Sequence, residues 1–335
     1  MKTNIITLSH GNGGKQTHEL IDNVFRPFFS NPYLKNLDGA LVSLPQNRIV
    51  VSVDSFVVKP IFFRGGNIGK LSITGTINDL ACMGAKPLFI SAGFILEEGL
   101  EIEKLKEILF SMAEEIQRHQ IFFIAGDTKV VPKGEMDSLF ITTTGIGVLL
   151  DYPPLGLDQV EEGDVVLLSG NVGEHGATIY LERNQLEIAT NLSSDCDSIY
   201  FQVEAVLREC KNVKVIRDPT RGGLATVLNE FVKYQNWGIE IYENEIPIKD
   251  EVHGICDLLG IDVMHLASEG RFVMIIPEKE TKKALEVLRS FPETKEANVI
   301  GRVTHKYPSQ VVMHTRIGGK RILSMLSHEL LPRIC

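Results

Sequence analysis

Arg48-Ile49-Val50-Val51-Ser52-Val53-Asp54-Ser55-Phe56-Val57-Val58 is the stretch from which the fold is read. Its run of β-branched residues, Ile49-Val50-Val51-Ser52-Val53, fits a pleated, half-buried surface and predicts a strand that delivers a carboxylate at Asp54. Working outward, residues 65–83 read as a long helical stretch opened by Gly65-Gly66-Asn67, and 87–96 as a second strand. Residues 100–119 repeat apolar side chains at helical spacing through Leu105, Ile108, Leu109, Met112 and Ile116. Ile121-Phe122-Phe123-Ile124 predicts a buried strand ending in Ala125-Gly126-Asp127-Thr128, and 139–150 a further strand with a threonine-rich middle. Upstream, His10-Gly11-Asn12-Gly13-Gly14-Lys15 leads into an amphipathic run through Phe28. That loop is either a flexible arm or a place where backbone N–H groups approach a ligand closely.

Pro153-Pro154 and the acidic turn at Glu161-Glu162-Gly163 mark a junction. Beyond it, helices are expected over 177–183, 199–210, 223–234, 252–259 and 280–290. Strands are expected over 214–216, 239–242, 271–276, 298–303 and 310–314. The expected fold class is α+β (mixed α/β) in two domains, residues 1–152 and 153–325. Residues 326–335 are expected to form a mobile tail. A length of 335 residues agrees with about two domains.

Composition narrows the function. Thirty-four Lys and Arg against 43 Asp and Glu give a net charge of −9, so no general nucleic-acid or anionic-membrane binding is expected. Five cysteines without a C-x-x-C pair argue against a disulfide scaffold, a zinc knuckle or a redox dithiol. With no signal-peptide pattern and no apolar run of about 18 residues, a soluble cytoplasmic protein is expected.

Three acidic sites stand out: Asp54 and Asp127, each after an apolar β run and so expected at a sheet edge, and Asp79 on a mostly apolar helix. A carboxylate there is costly unless paired or metal-bound. Three convergent aspartates beside a glycine-rich loop suit magnesium and a nucleotide, because Mg2+ takes one or two carboxylates together with phosphate oxygens. No P-loop or Rossmann fingerprint is present, so a nucleotide would be held by another geometry. Arg217-Asp218-Pro219-Thr220-Arg221-Gly222-Gly223 precedes a helix and is either an ordinary N-cap loop or an anion-facing one. Glu269, in Ala267-Ser268-Glu269-Gly270, is placed to face a cleft. His175, in Gly173-Glu174-His175-Gly176, is either structural or functional. The chain ends Leu330-Leu331-Pro332-Arg333-Ile334-Cys335. Pro332 stops a helix, so an extended, exposed terminal thiol is expected, with Arg333 assisting its thiolate and the terminal carboxylate opposing it.

Taken together, these segments resemble the HypE family of hydrogenase expression/formation proteins over essentially the whole length. The resemblance rests on the His10–Gly14 loop, Phe63–Leu71, Gly93–Leu100, Gly126–Val131, Asp218–Gly223 and, most specifically, the Pro-Arg-Ile-Cys terminus. The glycine and aspartate motifs are shared with aminoimidazole ribonucleotide synthetase, selenophosphate synthetase and thiamine-monophosphate kinase. The resemblance implies an aminoimidazole ribonucleotide synthetase-like fold whose N-terminal strands form a β-barrel across a homodimer, with ATP and Mg2+ bound between the domains. It implies that a carbamoyltransferase, HypF, loads Cys335, that ATP-dependent dehydration turns the S-carboxamide into a thiocyanate, and that an iron-carrying HypC–HypD complex takes the cyanide. On that reading Asp54, Asp79 and Asp127 organise magnesium and phosphates, with Asn78, Asp218 and Lys15 in the nucleotide-binding set. Lys129 and Glu269 orient the thiocarboxamide or take its protons, Arg333 docks the tail, and Cys335 carries the group. Two competing readings remain: a small-molecule enzyme of the same superfamily, which has no use for a terminal cysteine, and a non-catalytic carrier scaffold.

Overall fold

In the computed structural model, residues 4–34, 39–186, 188–326 and 333–335 are described. Behind the N-terminal glycines, α1 (Lys15–Leu20) and α2 (Arg26–Phe29) are joined by a π-turn over Ile21–Phe25 into one helical arm. The arm is seated: Phe25 meets Phe94 edge-on at 5.0 Å, and Phe29 stacks on Phe123 at 4.2 Å. Next come β1 (Ile49–Phe56), a short hairpin of β2 (Phe62–Phe63) and β3 (Gly66–Asn67), α3 (Ile68–Cys82), β4 (Ala85–Glu97), α4 (Ile102–Arg118), β5 (Phe122–Val131) and β6 (Leu139–Leu149). Four of these strands form a sheet in the order β1-β6-β4-β5. Pairing is antiparallel except β4 with β5, which α4 connects as a crossover.

The segment around Gly65 to Leu71 resolves into the hairpin and the start of α3. The Asn67 side chain accepts the Gly69 and Lys70 N–H groups at 2.8 and 3.1 Å, a local N-cap. A Cβ on Gly69 would lie 2.3 Å from the Ile108 carbonyl, so glycine here lets α3 and α4 approach. Nearly every residue of α3 is buried, because the sheet and α4 cover part of it and the second half of the chain covers the rest.

That second half comprises β7 (Val165–Leu168), α5 (Glu174–Arg183), α6 (Tyr200–Glu209), β8 (Val215–Arg217), α7 (Gly223–Val232), β9 (Gly238–Tyr242), α8 (Asp250–Leu259), β10 (Val273–Ile276), α9 (Glu278–Arg289), β11 (Asn298–Thr304), β12 (Val311–His314) and β13 (Lys320–Ile322). Its strands form a seven-stranded sheet, β13-β12-β9-β11-β7-β10-β8, with one parallel pair, β12 with β9. Period-2 alternation splits its side chains between two cores. Val166, Leu168, Val273 and Ile275 pack with α7 and α8, while Leu167, Met274 and Ile276 pack with α6 and α9. The latter cluster continues through Ile77 and Ala81 of α3, so the two halves share apolar packing. The fold is therefore mixed α/β, as expected. Among the described residues no helix is long and apolar enough to cross a membrane.

Two local expectations need correction. β5 does not stop at Asp127: it runs to Val131, so Asp127 lies mid-strand. The end of the chain is not an exposed thiol either. Ile334 and Cys335 are 5% and 8% exposed, packed in the core cluster. The rest of the expected mobile tail, residues 327–332, lies outside the described residues.

Candidate active site

β1 places Asp54 on the face of its sheet that α3 covers, half-buried, with its Oδ1 accepting the Ser55 N–H at 2.8 Å. From α3, Asp79 accepts a short hydrogen bond from the Ser52 hydroxyl, two residues back along β1. Burial raises both carboxyls above the usual range. Asp79 adds to the rise at Asp54, partly offset by Arg221, while the Ser52 hydroxyl, Arg217 and Arg221 work against the rise at Asp79. Asp218 follows β8 and joins them. Burial, then Asp79, push its carboxyl up to about 7. The loop before β10 contributes Glu269, 2% exposed, whose Oε1 has no hydrogen-bond partner. Burial raises its carboxyl well above the ordinary value, and Asp218, Asp195, Asp54 and Asp79 reinforce the shift.

The terminal thiol sits in this acidic group. Burial raises the Cys335 pKa, with Glu269 the next cause, while Arg221 works in the opposite direction. This corrects the expectation about Arg333. Its guanidinium is not the cation that assists the thiol. It pairs with Asp137 through a short contact, donates to the Val57 carbonyl at 3.0 Å, and lies over the Phe140 ring at 5.3 Å. Docking of the tail by Arg333 is what those contacts provide.

Two buried sets hold the cleft in shape. Glu174, 3% exposed, pairs with Arg271 at 3.0 Å and with Lys249, and Arg271 reaches Asp195 at 3.8 Å. Asp195 in turn accepts the Glu269 N–H at 3.1 Å. Asn78 turns both its amide donors to the protein. It is fully buried, donates to the Asp197 and Glu269 carbonyls at 3.1 and 2.9 Å, and accepts the Ile199 N–H at 2.9 Å. Both amide donors and one lone pair of its oxygen tie α3 to the second half, so its place is that of a clamp behind Glu269.

A sequence profile described as AIR synthase related protein, N-terminal domain, matches residues 36–149, and the corresponding C-terminal domain profile matches residues 161–314. The carbamoyl dehydratase HypE of Rhodobacter capsulatus is 42% identical over 333 residues, covering 98% of each chain. The chain belongs to the HypE family. Among solved members, a hydrogenase maturation protein HypE in complex with ATP superposes with a TM-score of 0.94 at 42% identity, covering 98% of this chain and 99% of that one. A chain of a HypE–HypF complex superposes with a TM-score of 0.80 at 41% identity, covering 92% and 99%.

In this HypE-family chain the remaining expected residues form a second group. Strand register puts Asp127 beside Gly93, Thr142 and Ser55, the row adjacent to that of Asp54, hence on the opposite face of the sheet. Three inter-strand steps separate β1 from β5, about 14 Å. The expected triad therefore does not converge within one chain: Asp54 and Asp79 meet, and Asp127 instead binds Lys129 Nζ at 2.8 and 2.7 Å, which lowers its pKa. The glycine loop lies against β5, where Gly11 abuts Val130, whose side chain alternates to the face opposite Asp127 and Lys129. Four residues on, Lys15 is exposed, 3.8 Å from Glu19.

Several residues of the site were not singled out from sequence. Asp137, Ser194, Asp195 and Arg183 touch partners far along the chain and carry no motif. His175 had only its glycine-flanked setting as a signal. It is fully buried, its pKa pushed down to about 4 by burial.

Proposed function

We propose that this chain is an ATP-dependent carbamoyl dehydratase of nickel–iron hydrogenase maturation, acting on an S-carboxamide carried by its own Cys335. The observation that carries this reading is the seating of the terminal sulfur among Glu269, Asp54, Asp218 and Arg221. Family membership, and the ATP and HypF complexes of relatives more than 40% identical, support it.

Dehydration needs the amide oxygen made into a leaving group. The carboxamide oxygen of R–S–CO–NH2 takes the γ-phosphoryl group of ATP, releasing ADP and one proton from nitrogen. The C–O bond then breaks, phosphate departs with the second nitrogen proton, and R–S–C≡N remains. Glu269 is assigned the nitrogen protons, because a carboxylate with raised proton affinity is the stronger base. Arg221 stabilises charge on the transferring group.

Among the described residues no three metal-ligating side chains converge as an all-protein cation site would. Magnesium with a nucleotide needs fewer. Asp54 and Asp79, with Asp218 beside them, offer the hard oxygen donors, and a cation held by them would offset the burial that raises all three carboxyls. When bound, Mg2+ supplies neutralisation of phosphate charge there.

The second group is read through a homodimer. The sheet face bearing Asp127 and Lys129 also exposes Ile49, Val51, Val53 and Ile95, an apolar surface that a second copy would cover as the implied barrel closes. Lys15, Asp127 and Lys129 of one copy would then serve the Asp54–Asp79 group of the other. HypF as carbamoyl donor and HypC–HypD as cyanide acceptor complete the reading.

Intact-mass spectrometry tests it. With carbamoyl donor, HypF and ATP, the chain should gain one carboxamide and then lose one water. Cys335→Ala should do neither. Turnover of a free small molecule by Cys335→Ala would refute the reading, as would a carboxamide that never loses water.

A further inference from the structure

The last three residues run beside the extension of β1, with Arg333 in a left-handed bend (φ 55°). The Val57 N–H donates to the Cys335 carboxyl oxygen at 2.9 Å, and the Lys59 N–H to the Arg333 carbonyl at 3.3 Å, where Arg183 also donates at 2.6 Å. The carbonyls of Arg333 and Cys335 thus face that segment, and the one between them does not. That middle carbonyl belongs to Ile334, which is 5% exposed, and a buried carbonyl without a partner is costly. His175 Nε2, from the first turn of α5, lies 2.8 Å from it.

Chemistry fixes the proton order. A carbonyl oxygen only accepts, so Nε2 carries the hydrogen. The ring is neutral because burial disfavours its cation, so Nδ1 is an acceptor and the Ser194 hydroxyl, 2.7 Å away, donates to it. Ser194 Oγ is itself held by the Cys196 N–H at 3.0 Å. The ring is further set edge-on against Phe63 at 5.4 Å. It is thus locked in one tautomer and one orientation, with a single N–H aimed at the tail.

We propose that His175 is a positioning residue that supplies the donor the Ile334 carbonyl does not receive from the segment after β1, fixing the peptide plane between Ile334 and Cys335 and hence the direction of the sulfur. Its hydrogen bond also sets how often the tail leaves the site. This deepens the reading of Cys335 as the carrier and rests on it. The test requires no turnover, so the two can fail separately.

The test is alkylation of the full chain by iodoacetamide, followed by peptide mass mapping. In the native chain Cys335 should react slowly. In His175→Phe, which keeps the ring's bulk and removes the N–H, Cys335 alone among the five cysteines should react about tenfold faster, the factor that corresponds to ~1.4 kcal/mol. His175→Gln, which restores an N–H donor, should recover part of the protection. An unchanged Cys335 rate in His175→Phe would overturn the proposal, and so would equal acceleration at all five cysteines, since the ring would then support the fold at large. A second measurement needs no ring variant: 15N shifts of the His175 ring in the native chain and in one ending at residue 332. An Nε2–H tautomer whose Nε2 shift moves on truncation supports the proposal. An Nδ1–H tautomer, or no change on truncation, refutes it.

Discussion

Replacing Asp218 by Asn should make the protein more stable at neutral and alkaline pH while removing its function. Burial and the nearby Asp79 and Asp54 raise the folded-state pKa of Asp218 from 3.8 to about 7. A raised carboxyl pKa means that the folded state binds the proton more readily than the unfolded one. Its contribution to stability is greatest in acid and is lost as pH rises through about 7. Roughly three pH units at ~1.36 kcal/mol each set a ceiling near 4 kcal/mol. Asp54 and Asp79 share that strain and relax when any one member is neutralised, so about 1–2 kcal/mol is the expected gain. Asparagine keeps the shape and removes the charge. Urea unfolding at about pH 8 should show a higher midpoint for Asp218→Asn at unchanged slope, and at about pH 5, where the native carboxyl is itself protonated, the two curves should approach each other. A variant less stable than the parent at the higher pH, or a gap independent of pH, would refute the electrostatic account of this carboxyl cluster. Loss of dehydration in the stabilised variant is the expected companion result.

Asn78→Ala removes three hydrogen bonds, two of them buried, and strands backbone groups of Asp197, Glu269 and Ile199. It should cost about 3 kcal/mol in urea unfolding, whereas loss of nucleotide binding at unchanged stability would make Asn78 a ligand after all. Asp137→Asn should loosen the tail by weakening the half-exposed contacts to Arg333 and Lys59, raising Cys335 alkylation about two- to fivefold at low salt and less at high salt. Mixing inactive Asp79→Asn and Lys129→Ala chains should restore up to about a quarter of parental dehydration, because half the mixed dimers are hybrids and each hybrid holds one intact shared site. No recovery on subunit exchange would place both groups in one chain's site.

Local physics wrote much of this molecule into its sequence. The β-branched run at Ile49–Val53, the helical spacing of Leu105 to Ile116 and the strand–helix alternation after Pro154 each recur as elements within a few residues of where they are expected, because propensity and apolar period act over neighbours. Elements with weak local signals went unread: the β2–β3 hairpin and the exposed β13. The terminal motif identified the family, and its cysteine, with Asp54, Asp79, Asp218 and Glu269, marked residues that meet in the cleft. What sequence cannot express is which side of a sheet a carboxylate faces and which distant atoms receive it. Asp54 and Asp127 look alike in one dimension, yet strand order and period-2 alternation send them to opposite edges and faces. Asn78 reads as a neutral ligand or an orienter in one dimension, and only its three backbone partners, more than a hundred residues away, make it a clamp. Ile334 and Cys335, expected to be exposed, are buried because the end of β1 offers unpaired N–H groups, Asp137 a charge and His175 a single N–H, from segments brought together only when the two halves share a core. Short-range preference decides the elements, and long-range packing decides which of their side chains meet.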